Sequence, residues 1–172
     1  MKIYLIGYMG SGKSTLGKIL AQEQEMNFID FDHFLEEKEG KSIAKIFEER
    51  GEIYFRKKES EYLNELLQGY DNTIISLGGG TPCYGDAMER IKAAEGTSVY
   101  INVGVAELTQ RLWSQRDHRP VLKHQDTPEK LEEFIRKHLF ERSYYYNQAA
   151  VKLMVKGEPV GELVAQLQQK LF

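Results

Sequence analysis

The sequence is poor in the features that mark a special environment. Cysteine occurs once in 172 residues, at Cys83, so no intramolecular disulfide can form and a disulfide-stapled secreted scaffold is excluded. Nothing near Cys83 is arranged to activate a thiolate, and it reads as a small residue at a loop-to-helix junction with no chemistry of its own. Four prolines are too few for a proline-rich linker, and no repeat or low-complexity tract appears. No stretch approaches the roughly 18 apolar residues of a membrane span. Met1 and Lys2 lead directly into "IYLI" with no targeting leader, so a cytoplasmic protein without a membrane partner is expected. An excess of one charge is missing too: 23 Lys and Arg face 26 Asp and Glu, a net charge of -3. That argues against nucleic acid as a partner, because gripping a phosphate backbone requires a basic face.

What remains is an ordinary globular composition, 41% apolar and 28% charged, at the length of one domain. Residues 1–172 are read as a single unit. Short apolar runs recur at 2–7 ("KIYLIG"), 27–30 ("NFID"), 73–78 ("TIISLG"), 98–103 ("SVYINV") and 151–155 ("VKLMV"). Segments with helical spacing lie between them, clearest where Val160, Leu163, Val164, Leu167 and Leu171 trace one face. Strands that are apolar almost throughout, alternating with helices, predict a parallel sheet covered on both sides, an α/β fold. Two insertions break the alternation. Residues 32–68 are mostly helical by pattern and punctuated by Gly40 and Gly51; residues 114–126, "SQRDHRPVLKHQD", are polar, basic and aperiodic, and read as a mobile lid. The apolar residues are accounted for by core faces, so no partner surface stands out and a monomer is expected.

The densest chemical signal is "GYMGSGKS" at 7–14, which matches G-x-x-x-x-G-K-[ST] at every fixed position and sits after a strand and before a helix. Such a loop turns successive N–H groups inward, and the following helix adds its positive end, so phosphates bind there. Gly10, Ser11, Gly12, Lys13, Ser14 and Thr15 form the expected nucleotide cradle, the ATP site if the chain is an ATP-dependent enzyme. Lys13 would reach the β- and γ-phosphates, and the Ser14 hydroxyl would ligate Mg2+.

The loop alone leaves ATPases, GTPase switches and small-molecule kinases open. No guanine-reading N-K-x-D follows "SVYINV". Nor does the strand "TIISL" end in the acid that commonly supports the metal; Ser76 lies near that place, and Gly78, Gly79 and Gly80 follow. Another carboxylate must serve. The second strand ends "IDFDHF", and strand alternation points Asp30 and Asp32 to the same side at the carboxyl edge, where ligands bind in such sheets. Asp30 could support the metal through water, and Asp32 could orient or deprotonate a hydroxyl nucleophile; the plainer reading of either is a helix cap near His33. Arg56, Arg119 and Arg142 are dispersed, but if they converge they suit an acceptor carboxylate and a transferring phosphoryl group. The histidines His33, His118, His124 and His138 show no metal-ligand spacing.

With these residues in view, the chain resembles the shikimate kinases over nearly its whole length. "IGYMGSGKSTLGKILA" is similar to the family's phosphate loop and first helix. "FIDFDHFLEEKEGKSIAKIFEERGEIYFRKKE" is similar to its acid pair and substrate-binding helices, and "ISLGGG", "RPVL" and "ERSYYY" follow in order. The combination of D-x-D, G-E-x-x-F-R and G-G-G is far more specific than the phosphate loop. The resemblance implies transfer of the ATP γ-phosphoryl group to the 3-hydroxyl of shikimate, on the route to chorismate and the aromatic amino acids. It implies a three-layer NMP-kinase-like fold with strand order 2-3-1-4-5. Asp32, Arg56, the glycines 78–80 and Arg142 would contact shikimate, with the two arginines on its carboxylate. Arg119 would reach the phosphates from the lid, and Asp30 would be the acid associated with magnesium. Arg111, or Arg116 in its place, and Pro159 of "KGEPVG" would contact adenine. Ser76 is tolerated in the family at the metal-side strand. Rival readings are a kinase for another metabolite, such as gluconate or a nucleoside monophosphate, and an ATP-binding module that has lost transfer.

Overall fold

The computed structural model describes residues 1–172. Five strands, β1 (Lys2–Ile6), β2 (Asn27–Asp30), β3 (Thr73–Ser76), β4 (Thr97–Val103) and β5 (Val151–Val155), form one parallel sheet in the order β2-β3-β1-β4-β5. All five lie where the apolar runs predicted them. Every residue of β1 and β3 is buried. Because side chains alternate across a strand, this requires helices on both faces of the sheet.

Seven helices supply that cover: α1 (Lys13–Glu23), α2 (Phe31–Glu39), α3 (Ile43–Gln68), α4 (Ala87–Ala93), α5 (Val105–Trp113), α6 (Pro128–Tyr146) and α7 (Val160–Leu171). The core joins sheet residues such as Leu5, Ile75 and Ile101 to Leu16, Leu20, Leu108, Ile135 and Leu167 from the helices. A small satellite core of Leu35, Ile46 and Phe55 holds α2 against α3. The insertion at 32–68 is helical, as its pattern indicates. Gly40 closes α2 in the left-handed conformation, and α3 breaks at Gly51 (φ 83°, ψ 174°) into two rods. No helix is long and apolar enough to cross a membrane.

The 114–126 segment is less formless than its composition suggests. It contains two 3-10 turns, at 116–118 and 120–122, and Leu122 is fully buried in the main core. The segment is thus pinned at one apolar residue, with Asp117, Lys123 and Asp126 exposed and Arg116 and Arg119 half-buried.

Topology fixes where a ligand can sit. The chain leaves β1 toward β2 at one edge of the sheet, and β4 pairs with β1 on its other side, which opens a crevice beyond the carboxyl end of β1. Register does the rest, since Ser76 of β3 pairs with Leu5 on one side and Asp30 on the other. The start of α1 approaches this edge closely: a Cβ on Gly17 would fall 2.7 Å from the Phe28 ring and 2.9 Å from Leu5 Cδ1. Gly17→Val should therefore lower the unfolding free energy by about 1–3 kcal/mol through overpacking, offset only by the few tenths of a kcal/mol that Val gains over Gly in helix propensity. Urea denaturation with an unchanged m-value would verify it.

Candidate active site

The phosphate loop takes its shape from its backbone. Gly12 is left-handed (φ 91°, ψ 12°) and serves as the N-cap of α1 without a side-chain cap, leaving the first amides of the helix for a ligand. Lys13 is only 8% exposed. Its ammonium donates to the carbonyls of Gly7 (2.8 Å) and Tyr8 (3.0 Å) and lies 3.5 Å from Ser11 Oγ. Burial lowers its pKa to about 8, against the opposing pull of Asp32 and Asp30. Gly10, Gly12, Lys13, Ser14 and Thr15 line a cleft of about 420 Å³ together with Asp30, Asp32, Ser76, Gly79, Gln115 and Arg119.

Asp30 and Asp32 both reach this cleft, though not by strand alternation. β2 stops at Asp30, whose Oδ1 accepts from the His33 amide and caps α2, while Asp32 stands in the first turn of that helix. The helix begins two residues sooner than the alternation argument assumed, because the capping carboxylate satisfies an amide there. Asp30 therefore has two roles at once: its other oxygen accepts from Ser14 Oγ at 2.5 Å, and Ser76 Oγ is 3.1 Å from Ser14. Ser14, Asp30 and Ser76 form an all-oxygen group of the kind that suits Mg2+ held mainly by phosphates and water. No group of three or more His, Cys, Asp or Glu side chains is placed to hold a metal ion. Asp32 is open to solvent but deep in the cleft wall, and burial, followed by the charge of Asp30, raises its pKa to about 6.

Beside the cleft, at the glycine run whose Gly79 lines it, two of the three dispersed arginines meet. A Cβ at Gly80 would fall 3.1 Å from both terminal nitrogens of Arg56 and 3.3 Å from Nη2 of Arg142. One at Gly79 would meet Arg142 Nη1 at 3.3 Å, and one at Gly78 would meet Asp32 Oδ1 at 2.7 Å. The glycine run is the floor on which both guanidinium groups and the acid close.

Sequence reading missed the residues that hold these groups. Arg56 Nη1 donates to Glu59 Oε1 (2.8 Å), and Thr81 Oγ1 donates to the other oxygen of that buried carboxylate (3.0 Å). The Arg56 guanidinium stacks 3.6 Å from the centroid of Tyr84, and its Nε is buried with no hydrogen-bond partner. The Tyr146 hydroxyl donates to Gly79 O. The i, i+3 spacing of Arg56 and Glu59 was a visible signal, and Tyr146 ends the "ERSYYY" run quoted above without having been singled out; Tyr84 left none. Cys83 sits in a 3-10 turn, and burial pushes its thiol up to about 11, in keeping with an inert role.

Arg119 reaches the cleft from the lid, with Nε and Nη2 donating to Gln115 Oε1 at 3.3 and 3.1 Å. Arg111 braces the phosphate loop by donating to Gly10 O (3.1 Å) while pairing with Glu107 (2.6 Å). Arg116 instead stacks 3.6 Å over Trp113 and donates to its carbonyl. Pro159 is exposed, precedes α7, and lies outside the lining of the cleft.

A parallel 2-3-1-4-5 sheet, a phosphate loop at its switch point and a set of arginines facing that loop across an acid define a P-loop small-molecule kinase. Comparison with known proteins narrows the class. The family model described as shikimate kinase matches residues 9–172. A shikimate kinase from Flavobacterium johnsoniae is 44% identical over 163 residues, covering 95% of this chain and 94% of that protein. The crystal structure of shikimate kinase from Bacteroides thetaiotaomicron superposes with a TM-score of 0.90 at 36% identity, covering 99% of this chain and 97% of that one. Shikimate kinase from Acinetobacter baumannii, solved in complex with shikimate, gives 0.86 at 32% identity over 98% and 91% of the two chains. The chain belongs to the shikimate kinase family.

The raised Asp32 carboxyl has a consequence for stability. Between its ordinary 3.8 and about 6, the folded state holds a proton that the unfolded state has lost, so stability falls as pH rises through that window. Above it, the ionised carboxylate is a standing cost. Asp32→Asn should raise the melting temperature of the ligand-free protein by about 2–4 °C at pH 7.5, taking about 1 kcal/mol after solvent screening. At pH 4 the gain should vanish, as calorimetry at the two pH values would establish.

Proposed function

We propose that this protein transfers the γ-phosphoryl group of ATP to the 3-hydroxyl of shikimate, giving shikimate 3-phosphate and ADP on the route to chorismate. The observation that carries this reading is the convergence of Arg56 and Arg142 on Gly80, two residues from the glycine that Asp32 abuts and beside the cleft that Lys13 lines. Two guanidinium groups side by side, one with a buried Nε that makes no hydrogen bond and has only Glu52 Oε1 at 3.9 Å, suit a small acceptor that carries a carboxylate.

In the proposed mechanism Lys13 exchanges its two backbone carbonyls for phosphate oxygens, with Arg119 on the same phosphates from the lid. Arg56 and Arg142 hold the acceptor carboxylate and so orient its ring. Asp32 accepts the hydrogen bond of the attacking hydroxyl. That oxygen forms the new bond to the γ-phosphorus as the bond to the β–γ bridging oxygen breaks, and the hydroxyl proton leaves toward Asp32. Protein chemistry here is positioning and charge neutralisation, as phosphoryl transfer requires. Ser14 directly, and Asp30 through water, would hold magnesium, whose contribution is to neutralise charge shared by the β- and γ-phosphates. Of the two arginines considered for adenine, Arg111 is the better supported, because it touches the loop at Gly10. The lid excludes water that would otherwise hydrolyse the donor. A monomer in a reducing cytoplasm is the setting assigned to it.

An ADP-release assay with ATP and magnesium, offered shikimate, gluconate, a panel of nucleoside monophosphates or no acceptor, tests the substrate. Turnover confined to shikimate is expected above a slow hydrolytic background; turnover on another acceptor would overturn the substrate and leave the phosphate loop intact. The two arginine roles should separate kinetically. Arg142→Ala should raise the acceptor KM with ADP affinity retained, whereas Arg119→Ala should cut kcat on the order of 10²-fold as a transition-state charge contact is lost. Equal loss of ADP affinity in Arg142→Ala would refute its assignment to the acceptor.

A further inference from the structure

Tyr8 occupies a variable position of the phosphate loop, and phosphate binding by backbone amides gives no reason for an aromatic ring there. The ring is nonetheless 1% exposed and points away from the cleft toward α6. Its hydroxyl lies 2.9 Å from His138 Nδ1, and the two rings meet edge to face at 5.4 Å and 86°. Phe134 closes the imidazole from within the same helix, with centroids 5.3 Å apart. One turn beyond His138 is Arg142, whose guanidinium lies 5.9 Å from the Tyr8 centroid before it reaches the glycine floor.

The main chain of Tyr8 faces the other way. Its carbonyl receives both the Lys13 ammonium and the Ser11 amide. One residue thus seats the phosphate-binding ammonium through its backbone and grips, through its side chain, the helix that carries the acceptor arginine. Burial, then the charge of Arg142, lowers the His138 pKa to about 4, and burial pushes the Tyr8 phenol above its ordinary range. Neither group carries charge near neutral pH, so their contact is a hydrogen bond between neutral partners. The helix that Tyr8 grips, α6, begins two residues after the 114–126 segment, which is anchored in the core by Leu122.

We propose that Tyr8 and His138 are positioning residues for phosphoryl transfer: the Tyr8 hydroxyl donates to the Nδ1 lone pair of His138 and fixes the distance between the phosphate loop and Arg142. This rests on the kinase reading above. The bond aligns donor and acceptor without touching either, so its loss should slow the chemical step while nucleotide affinity stays as it is.

The test is a double-mutant cycle on the full chain. Tyr8→Phe and His138→Phe should each lower kcat about tenfold, the double variant should lose no more than either alone, and ADP affinity without acceptor should be unchanged. His138→Asn, which offers an amide oxygen near the position of Nδ1, should recover most of the rate. In the wild-type protein the 15N spectrum of His138 should show Nε2 bearing the proton and Nδ1 accepting. Additive losses in the cycle, a protonated Nδ1, or a fall in melting temperature with kcat retained would overturn the proposal while the kinase reading stands. A wild-type protein that phosphorylates no acceptor would sink the kinase reading and this inference with it.

Discussion

The ammonium of Lys13 is the constraint around which the rest is arranged. It is almost wholly buried, and a buried cation without partners is among the most expensive things a fold can contain. The loop meets this cost by turning the carbonyls of Gly7 and Tyr8 onto it, with Asp30 and Asp32 near enough to favour its charge. These partners are adequate but not optimal. A phosphate offers full negative charge where the carbonyls offer dipoles, so the ligand-free site is poised to exchange one for the other.

The same logic governs the cations opposite. Arg56 is stacked on Tyr84 and held by Glu59, which Thr81 satisfies in turn, yet its Nε makes no hydrogen bond and has only Glu52 at ion-pair distance. Arg119 rests on a neutral amide rather than a carboxylate. Each is oriented by contacts that do not cancel its charge, or cancel it only in part. The cost of keeping like charges close is visible in the acids too, where Asp32 is held above its ordinary pKa by burial and by Asp30. Stability is given up where the chemistry needs an unsatisfied group.

Much of this was legible along the chain. The three central strands follow from apolar runs because they are buried on both faces, and the edge strands β2 and β5 from shorter runs that are partly exposed. The helical insertion with its breaks at Gly40 and Gly51, the phosphate loop, Asp30, Asp32 and the three arginines were all found in the sequence. Less was visible where local pattern is weak or misleading. The seven-residue α4 is too short to show a period. The lid looked aperiodic because one buried residue, Leu122, is enough to anchor it. Asp32 was assigned to an extended strand, whereas the capping carboxylate of Asp30 starts a helix at that point.

By itself, then, the sequence determined the α/β class, the phosphate loop, and the kinds of charged group that surround it, since these depend on short-range pattern and on chemistry carried by residue type. Tertiary structure decided which groups meet. Ser76 joins Asp30 and Ser14 only because the register of β3 against β2 aligns them. Arg56 and Arg142 are 86 positions apart in the chain and converge on Gly80 only because a residue without a side chain lets two helices deliver their guanidinium groups to one point. Tyr8 and His138 carry no signal in the chain at all; their bond spans 130 residues, and packing of α6 beneath the phosphate loop creates it.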